Sequence, residues 1–372
     1  MTEKKSIKSE SFWSDFSRIY KNPSLIDKYL IDNSNSIEEI IIDSFKELNL
    51  DKNYSIYANG GFGKKEMFLS SDVDISIVKN NSLHDSNADL EVFIAKLWDL
   101  GFQVGHSVRS IKDIKKITKK DLKEFTSYLT RRPLISKSDT ERQITKSLNN
   151  AWSKKSFFNA KLIEQEERYS SYHSTEFNLE PDLKESPGCM RDFQTSLWIL
   201  QQCFNLSNYN EIKNSIKFSS DIQSAVTSYN FIKTLRFATN ILSSKNRLSF
   251  ESQIEISKAA KLGKYNDKDL VEKMMKDFYG HASNLSNFNR FVFDTFKEKN
   301  SFAITQKFGK FYLKGKKIGI KNYDLSKNRD LIFGIFIAIG RNKNIKAVDT
   351  STMNMLKENI HLIDDDFKNN NS

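Results

Sequence analysis

"GGFGKKEMFLSSDVDISIV", residues 60–78, is the stretch from which the rest of the chain is read. Two glycines open it, a third follows at Gly63, and an apolar run then carries Asp72 and Asp74. In a strand, residues two apart share a face. Val73, Ile75 and Ile77 therefore point one way, and Asp72, Asp74 and Ser76 the other. The apolar face anchors the strand, while the carboxylates stand close enough to reach one hard cation or a close pair. Two unpaired neighbouring carboxylates repel each other, and a cation relieves that repulsion. Magnesium suits carboxylate plus phosphate oxygens. Gly60 and Gly61 end a short strand, "YSIYA" at 54–58, and allow a tight turn and close approach of backbone to a ligand. A helix starting near Gly63–Lys65 would aim free N–H groups at a phosphate, with Lys64 or Lys65 adding positive charge. The pattern describes a triphosphate pocket facing a metal-binding strand, which is machinery for phosphoryl or nucleotidyl transfer. Either motif alone is more often a turn or a solvated edge. Together, in this order and spacing, they favour the functional reading.

Composition sets the frame. The chain has 372 residues, enough for two or three domains with real cores. Its 28 phenylalanines argue against disorder over the whole length. The net charge of +11 favours anionic partners. The excess is mostly scattered lysine, so nucleic acid is not expected as a partner. Two cysteines, Cys189 and Cys203, suggest neither a disulfide framework nor a metal spacing. The start, "MTEKKSIKSESFWSDF", has no apolar segment of the secretory kind. The longest apolar run, "LIFGIFIAIG" at 331–340, is too short to span a bilayer. A soluble, cytoplasmic chain without a membrane partner is expected.

Outward from the aspartates, residues 11–50 read as helical, with Ser36 as the N-cap of "SIEEIIIDSFKEL". "NNSLHDSNAD" is a loop, "LEVFIAKLWDLG" an amphipathic helix ended by Gly101, and "FQVGHSVR" a strand. "DIKKITKKDLKEFTSYLTRRPLI" reads as helix up to its proline. From 141 to 300 nearly everything has helical period, apart from the loop "NLEPDLKESPGCMRD" at 178–192. After 300, "FAITQKFGKFYLKGKKIGI" reads as an antiparallel meander, followed by helices at about 324–340 and 350–363.

The 60–78 stretch resembles the nucleotidyltransferase motif of the DNA polymerase β superfamily. More closely it is similar to the bacterial PII uridylyltransferase / uridylyl-removing family, whose motif runs G-G-[YF]-G-R-G-E-L-x-P-x-S-D-[IV]-D. Further segments carry the likeness: "LWDLGFQVGHSVRS" at 97–110, "NAKLIEQEERY" at 159–169, "NLEPDLKESPGCMRDFQTSLWI" at 178–199, "LRFATNIL" and "FYGHASNLSNFN". The resemblance implies transfer of UMP from UTP to a tyrosine of the PII signal protein with Mg²⁺, in nitrogen regulation. On the matched positions, Asp72 and Asp74 would be the catalytic, metal-binding pair. Gly60, Gly61, Gly63, Lys64, Ser71 and Arg191 would bind nucleotide. Glu185, Ser186, Gly188 and Asp192 match the helical signature expected to pack near the nucleotide.

The sequence also departs from the family. Lys64-Lys65 stands where the family has Arg-Gly, which loses a planar fork and puts a long side chain at a glycine position. Cys189 replaces a glycine. A third carboxylate is expected on a later strand, but "FQVGHSVR" has none and Asp99 is the nearest acid. The hydrolase and glutamine-sensing (ACT) domains of the full family are expected to be absent, and His84-Asp85 reads as a solvated loop. The expected fold class is α/β (α+β): a nucleotidyltransferase head with a small mixed sheet, then an all-helical domain, then a short α+β tail. The boundaries are 1–140, 141–300 and 301–372. Two other readings stay open: a catalytically weak module that binds nucleotide or PII, and nucleotidyl transfer to another protein acceptor.

Overall fold

The computed structural model describes residues 2–80, 88–172, 174–215, 217–263, 266–300, 306–308, 310–314, 317–321, 325, 327–342, 345, 347–359 and 361. The chain forms two compact units, Met1–Asn289 and Arg290–Ser372. No helix among the described residues is long and apolar enough to cross a membrane.

The first unit begins with α1 (Thr2–Lys21) and α2 (Ile26–Glu47), followed by β1 (Tyr54–Ala58), α3 (Gly60–Gly63) and β2 (Val73–Lys79). Next come α4 (Ala88–Asp99), β3 (Val104–Arg109), α5 (Ile111–Ile117), α6 (Leu122–Leu129) and β4 (Arg132–Ile135). The four strands make one sheet in the order β3-β2-β1-β4. β2 runs parallel to β3, and β1 is antiparallel to both of its neighbours. The sheet is therefore mixed. Helices follow: α7 (Ser138–Asn149), α8 (Lys154–Ser171), α9 (Met190–Phe204), α10 (Tyr209–Lys213), α11 (Ser219–Ser243), α12 (Phe250–Ala259) and α13 (Asp267–Asn300).

One face of the sheet is closed by α2 and α4. Ile37, Ile41 and Phe45 from α2 and Leu90, Phe93, Ile94 and Leu97 from α4 form one core with Ile56, Val73, Ile75 and Ile77. This is the apolar face expected from the alternation in β2. On the other face only the start of β2 is open: Asp74 is exposed, whereas Ser76 is buried and accepts a hydrogen bond from Asn59 Nδ2. The aromatic N-terminus belongs to this unit too. Phe12 of α1 packs on Phe237 of α11, ring centroids 4.6 Å apart.

Three local expectations change. Ser36 does not start a helix; it lies inside α2 and its hydroxyl bonds Asp32 O, because the apolar period continues upstream to Ile26. The turn helix starts at Gly60 rather than near Gly63–Lys65, with Asn59 as its N-cap residue. "RPLI" is not the end of a helix but strand β4, an edge strand, where Pro133 needs no ladder partner on its missing N–H side. His84-Asp85, the loop around it, and His173 lie outside the described residues.

The second unit contains β5 (Gln306–Phe308), β6 (Phe311–Lys314) and β7 (Lys317–Ile320) as an antiparallel meander. α14 (Asp330–Arg341), β8 (Ala347–Val348) and α15 (Thr350–Glu358) follow, with β8 parallel to β7. β8 is too short to leave a periodic signal. Leu313, Ile318, Ile320, Leu331, Ile332 and Ile335 are in its core.

Candidate active site

Asp72 and Asp74 line a cavity of about 300 Å³ together with Gly60, Gly61, Ser70 and Ser71. Neither carboxylate makes a hydrogen bond or ion pair with any described residue, and both are exposed to the cleft. The surrounding protein, and then the charge of Asp72, push the Asp74 carboxyl above the ordinary range. The backbone around Asp74 is pared down to make room. Gly60 sits at φ +55°, and a Cβ there would lie 2.9 Å from Asp74 Oδ2. Gly105 of β3 pairs with Asp74, and a Cβ there would lie 2.7 Å from Asp74 Oδ1. This also explains why β3 carries no third carboxylate: opposite Asp74 and Ser76 it places Gly105 and Ser107. Asp99 is exposed at the end of α4, and no cluster of three or more metal-ligating side chains occurs among the described residues.

Gly63 does a different job. A side chain there would collide with the carbonyls of Ala58 and Thr130, so it lets the turn lie against the β1 and α6 ends and does not line the cavity. Lys65 occupies the left-handed region at φ +57°, the conformation that a glycine takes most easily. Its Nζ reaches back to Asn35 Oδ1 at 2.8 Å, with Glu38 at 3.7 Å, and so ties the turn to α2.

Across the cavity stand cations. Lys64, Lys184, Arg191 and Arg236 all line it. Lys64 and Lys184 make no hydrogen bond or ion pair with described residues. Burial lowers both amines, that of Lys64 to about 8, with Arg191 beside each adding to the effect. Arg236 is nearly buried, donates to Asn246 Oδ1 at 2.8 Å, and lies 4.0 Å over the Phe68 ring. Arg191 is fixed by Glu185 through two bonds, of 3.2 and 2.8 Å, and by Gln194. Trp198 forms part of the floor, with Lys161, Lys64 and Arg191 at 4.3, 5.5 and 5.8 Å from its ring.

The 178–192 loop holds this wall in place. Asp182 Oδ1 accepts from the N–H groups of Lys184 and Glu185, a local turn that sets where Lys184 points. The buried Ser186 hydroxyl accepts from Asp182 N at 3.0 Å. Gly188 is at φ +73° and packs on the backbone of Ala282, which leaves no room for a side chain. Asp192, fully buried, accepts from Arg168 at 2.6 Å, Tyr169 OH at 2.7 Å and Gly188 N at 2.7 Å. The turn is joined to α11 as well: Glu66 accepts from Tyr229 OH at 2.8 Å and lies 3.7 Å from Lys233.

Of the residues singled out from sequence, Gly60, Gly61, Lys64, Ser71, Asp72, Asp74 and Arg191 come together around one cavity. Lys184 and Arg236 join them without having been singled out, and the buried Trp198 lies beside them. Lys184 lies inside the quoted signature, so its position was available. Arg236 is one basic residue in a long helix, and nothing in the spacing marks it. Arg109 is taken up by a bidentate pair with Glu124 at 2.6 and 2.7 Å. Trp98 and His106, both exposed, stand side by side away from the cavity, whereas Trp152 is tied to Thr118 O at 2.7 Å. His281 stacks on Phe231, ring centroids 4.2 Å apart, in a structural position.

Residues 156–293 match the family model described as GlnD PII-uridylyltransferase. Over 333 residues the chain is 30% identical to a bifunctional uridylyltransferase/uridylyl-removing enzyme of Pseudomonas aeruginosa (strain LESB58), covering 86% of this chain and 37% of the relative. The enzyme of the same name from Pseudomonas savastanoi pv. phaseolicola is 30% identical over 337 residues, covering 87% and 37%. That of Pseudomonas putida (strain W619) is 29% identical over 327 residues, covering 85% and 36%. The chain thus spans little more than a third of the length of these relatives.

Proposed function

We propose that this chain, which belongs to the PII-uridylyltransferase family, transfers a uridylyl group from UTP to a tyrosine of a PII signal protein. The observation that carries the reading is a single cavity with charged groups outside any ion pair on both of its sides. Two carboxylates face two lysines and a buried arginine, none of which is in an ion pair among the described residues. Such an arrangement is costly in a protein alone. It becomes favourable when a polyanion and a divalent cation enter together.

Asp72 and Asp74 are the residues that would hold Mg²⁺, and the donor set fits: two otherwise unbonded carboxylate groups, with Gly60 and Gly105 leaving space around Asp74. Bound there, the ion would supply charge neutralisation on the phosphates. Lys64, Lys184, Arg191 and Arg236 bind and orient the triphosphate. Their positive charge offsets the charge that builds on the departing pyrophosphate. The tyrosine hydroxyl oxygen forms the new bond to the α-phosphorus. The bond from that phosphorus to the oxygen bridging toward the β-phosphorus breaks, its electron pair leaves with pyrophosphate, and the phenolic proton passes to solvent.

The test is incubation with a PII protein, Mg²⁺ and each of UTP, ATP, CTP and GTP, read by intact mass, beside an Asp72→Ala/Asp74→Ala double variant. A gain of one UMP per subunit that disappears in the variant is the expected result. Gain with another nucleotide alone would reassign the base. Nucleotide binding without any transfer would make the protein a binding module.

A further inference from the structure

Asp74 lines two cavities. The first is the cationic one. The second, about 580 Å³, shares only Gly60, Asp74, Arg191 and Trp198 with it and then runs out between α6 and α8. Asp72 lines the first alone. Resting on the uridylyl-transfer reading, we propose that this second cavity is the acceptor port: it receives a polar protein loop that delivers a tyrosine to the α-phosphorus past Asp74.

The argument is geometric first. In-line displacement needs the attacking oxygen on the side of the phosphorus away from the leaving group. Lys64, Lys184 and Arg236, cations outside ion pairs, line the first cavity and not the second and draw the triphosphate toward themselves, so the leaving pyrophosphate points away from Asp74. The side opposite to it is the side on which the second cavity opens. The two aspartates are then unequal: Asp72 serves the donor alone, whereas Asp74 stands between donor and acceptor.

The lining suits a protein loop. Where the first cavity has three cations without ion pairs, the second is walled by hydroxyls such as Ser127 and Ser171. It also carries exposed charges of both signs, Lys123 and Glu167, neither of them in an ion pair among the described residues. Glu164, also in its wall, is neutralised by Lys161 at 2.6 Å, and Glu185 by Arg191. An isolated phosphate or metabolite anion finds no surplus of positive charge there. A mixed-charge loop finds partners for both signs, and its aromatic ring finds the Trp198 ring at the shared wall. At nearly twice the volume of the first, the cavity has room for a ring and its flanking backbone.

The experiment uses Ser127→Trp, which fills the second cavity, and Glu167→Lys, which reverses an exposed charge at a position with no packing role. Each is assayed for UTP affinity by direct titration and for transfer over a range of PII concentrations. We expect KM for PII to rise by about ten-fold or more with UTP affinity unchanged, the signature of lost acceptor binding. KM for PII unchanged in both variants overturns the port. So does a parallel loss of UTP affinity, which would make the cavity part of the nucleotide site. Failure of the unmodified protein to transfer any nucleotide would instead remove the uridylyl-transfer reading, and the port with it.

Discussion

Asp74 and Asp192 are both carboxylates of the first unit, and they are treated in opposite ways. Asp192 is fully buried and accepts from a guanidinium, a phenol and a backbone N–H. Asp74 is open to the cleft, has no donor, faces a like charge on Asp72, and is flanked by two glycines that give it space. A charge that is completely paired holds a fold together. A charge left unpaired, next to another of the same sign, is a cost that only a ligand removes.

The contrast breaks most visibly at the pair itself. Asp74→Asn should lower transfer by roughly 10³-fold or more, the several kcal/mol that metal binding contributes, while Tm stays level or rises because a repulsion is removed. A clear drop in Tm in a thermal melt would mean that Asp74 has a structural partner after all. Asp192→Ala should do the reverse. It strands Arg168 and costs about 3–5 kcal/mol of stability, the usual penalty for breaking a buried pair, measured by denaturant titration. Protein that remains folded should keep its UTP affinity.

Lys64 sharpens the comparison through pH. Its amine, lowered by burial to about 8, is charged at pH 7 and loses its proton as pH rises toward 9. UTP affinity should therefore fall over that interval. Global stability should move the other way. Between about 8 and the ordinary lysine value of 10.5 the unfolded chain binds the proton and the folded one does not, so folding becomes more favourable as pH rises. Lys64→Arg keeps its charge throughout and should flatten both profiles relative to the unmodified protein. An unchanged slope in the variant would assign the titration to another group.

The smallest effect is expected at Lys65. Lys65→Gly relieves a left-handed backbone worth about 1 kcal/mol. It also loses the anchor to Asn35 and Glu38 and adds freedom to the unfolded chain. Stability should shift by no more than about 0.5 kcal/mol. A larger loss would show that the lysine, rather than the turn, positions the glycines.

What was legible in the sequence follows from the range of each signal. The aspartate strand and the amphipathic helix that stops just before Gly101 are local patterns and stand where the spacing put them, while the helix of the glycine turn begins at Gly60 rather than near Gly63–Lys65. The strand at Arg132–Ile135 was hidden because its reason for existing is remote: it pairs with Tyr54–Ala58 across most of the head, and a proline masks it locally. Arg236 was invisible for the same reason. It comes to the cavity only because α11 crosses behind the turn, and one arginine in a helix has no pattern to show.

The glycines at 60 and 105 carry a consequence of their own. They contribute no functional group, yet any side chain at either would press on an oxygen of Asp74. In a saturation scan scored by transfer, both positions should rank with the aspartates, and every substitution, alanine included, should count as damaging. The empty volume around a carboxylate is then as much a working part as the carboxylate, inherited by the reaction from residues that offer it no side chain.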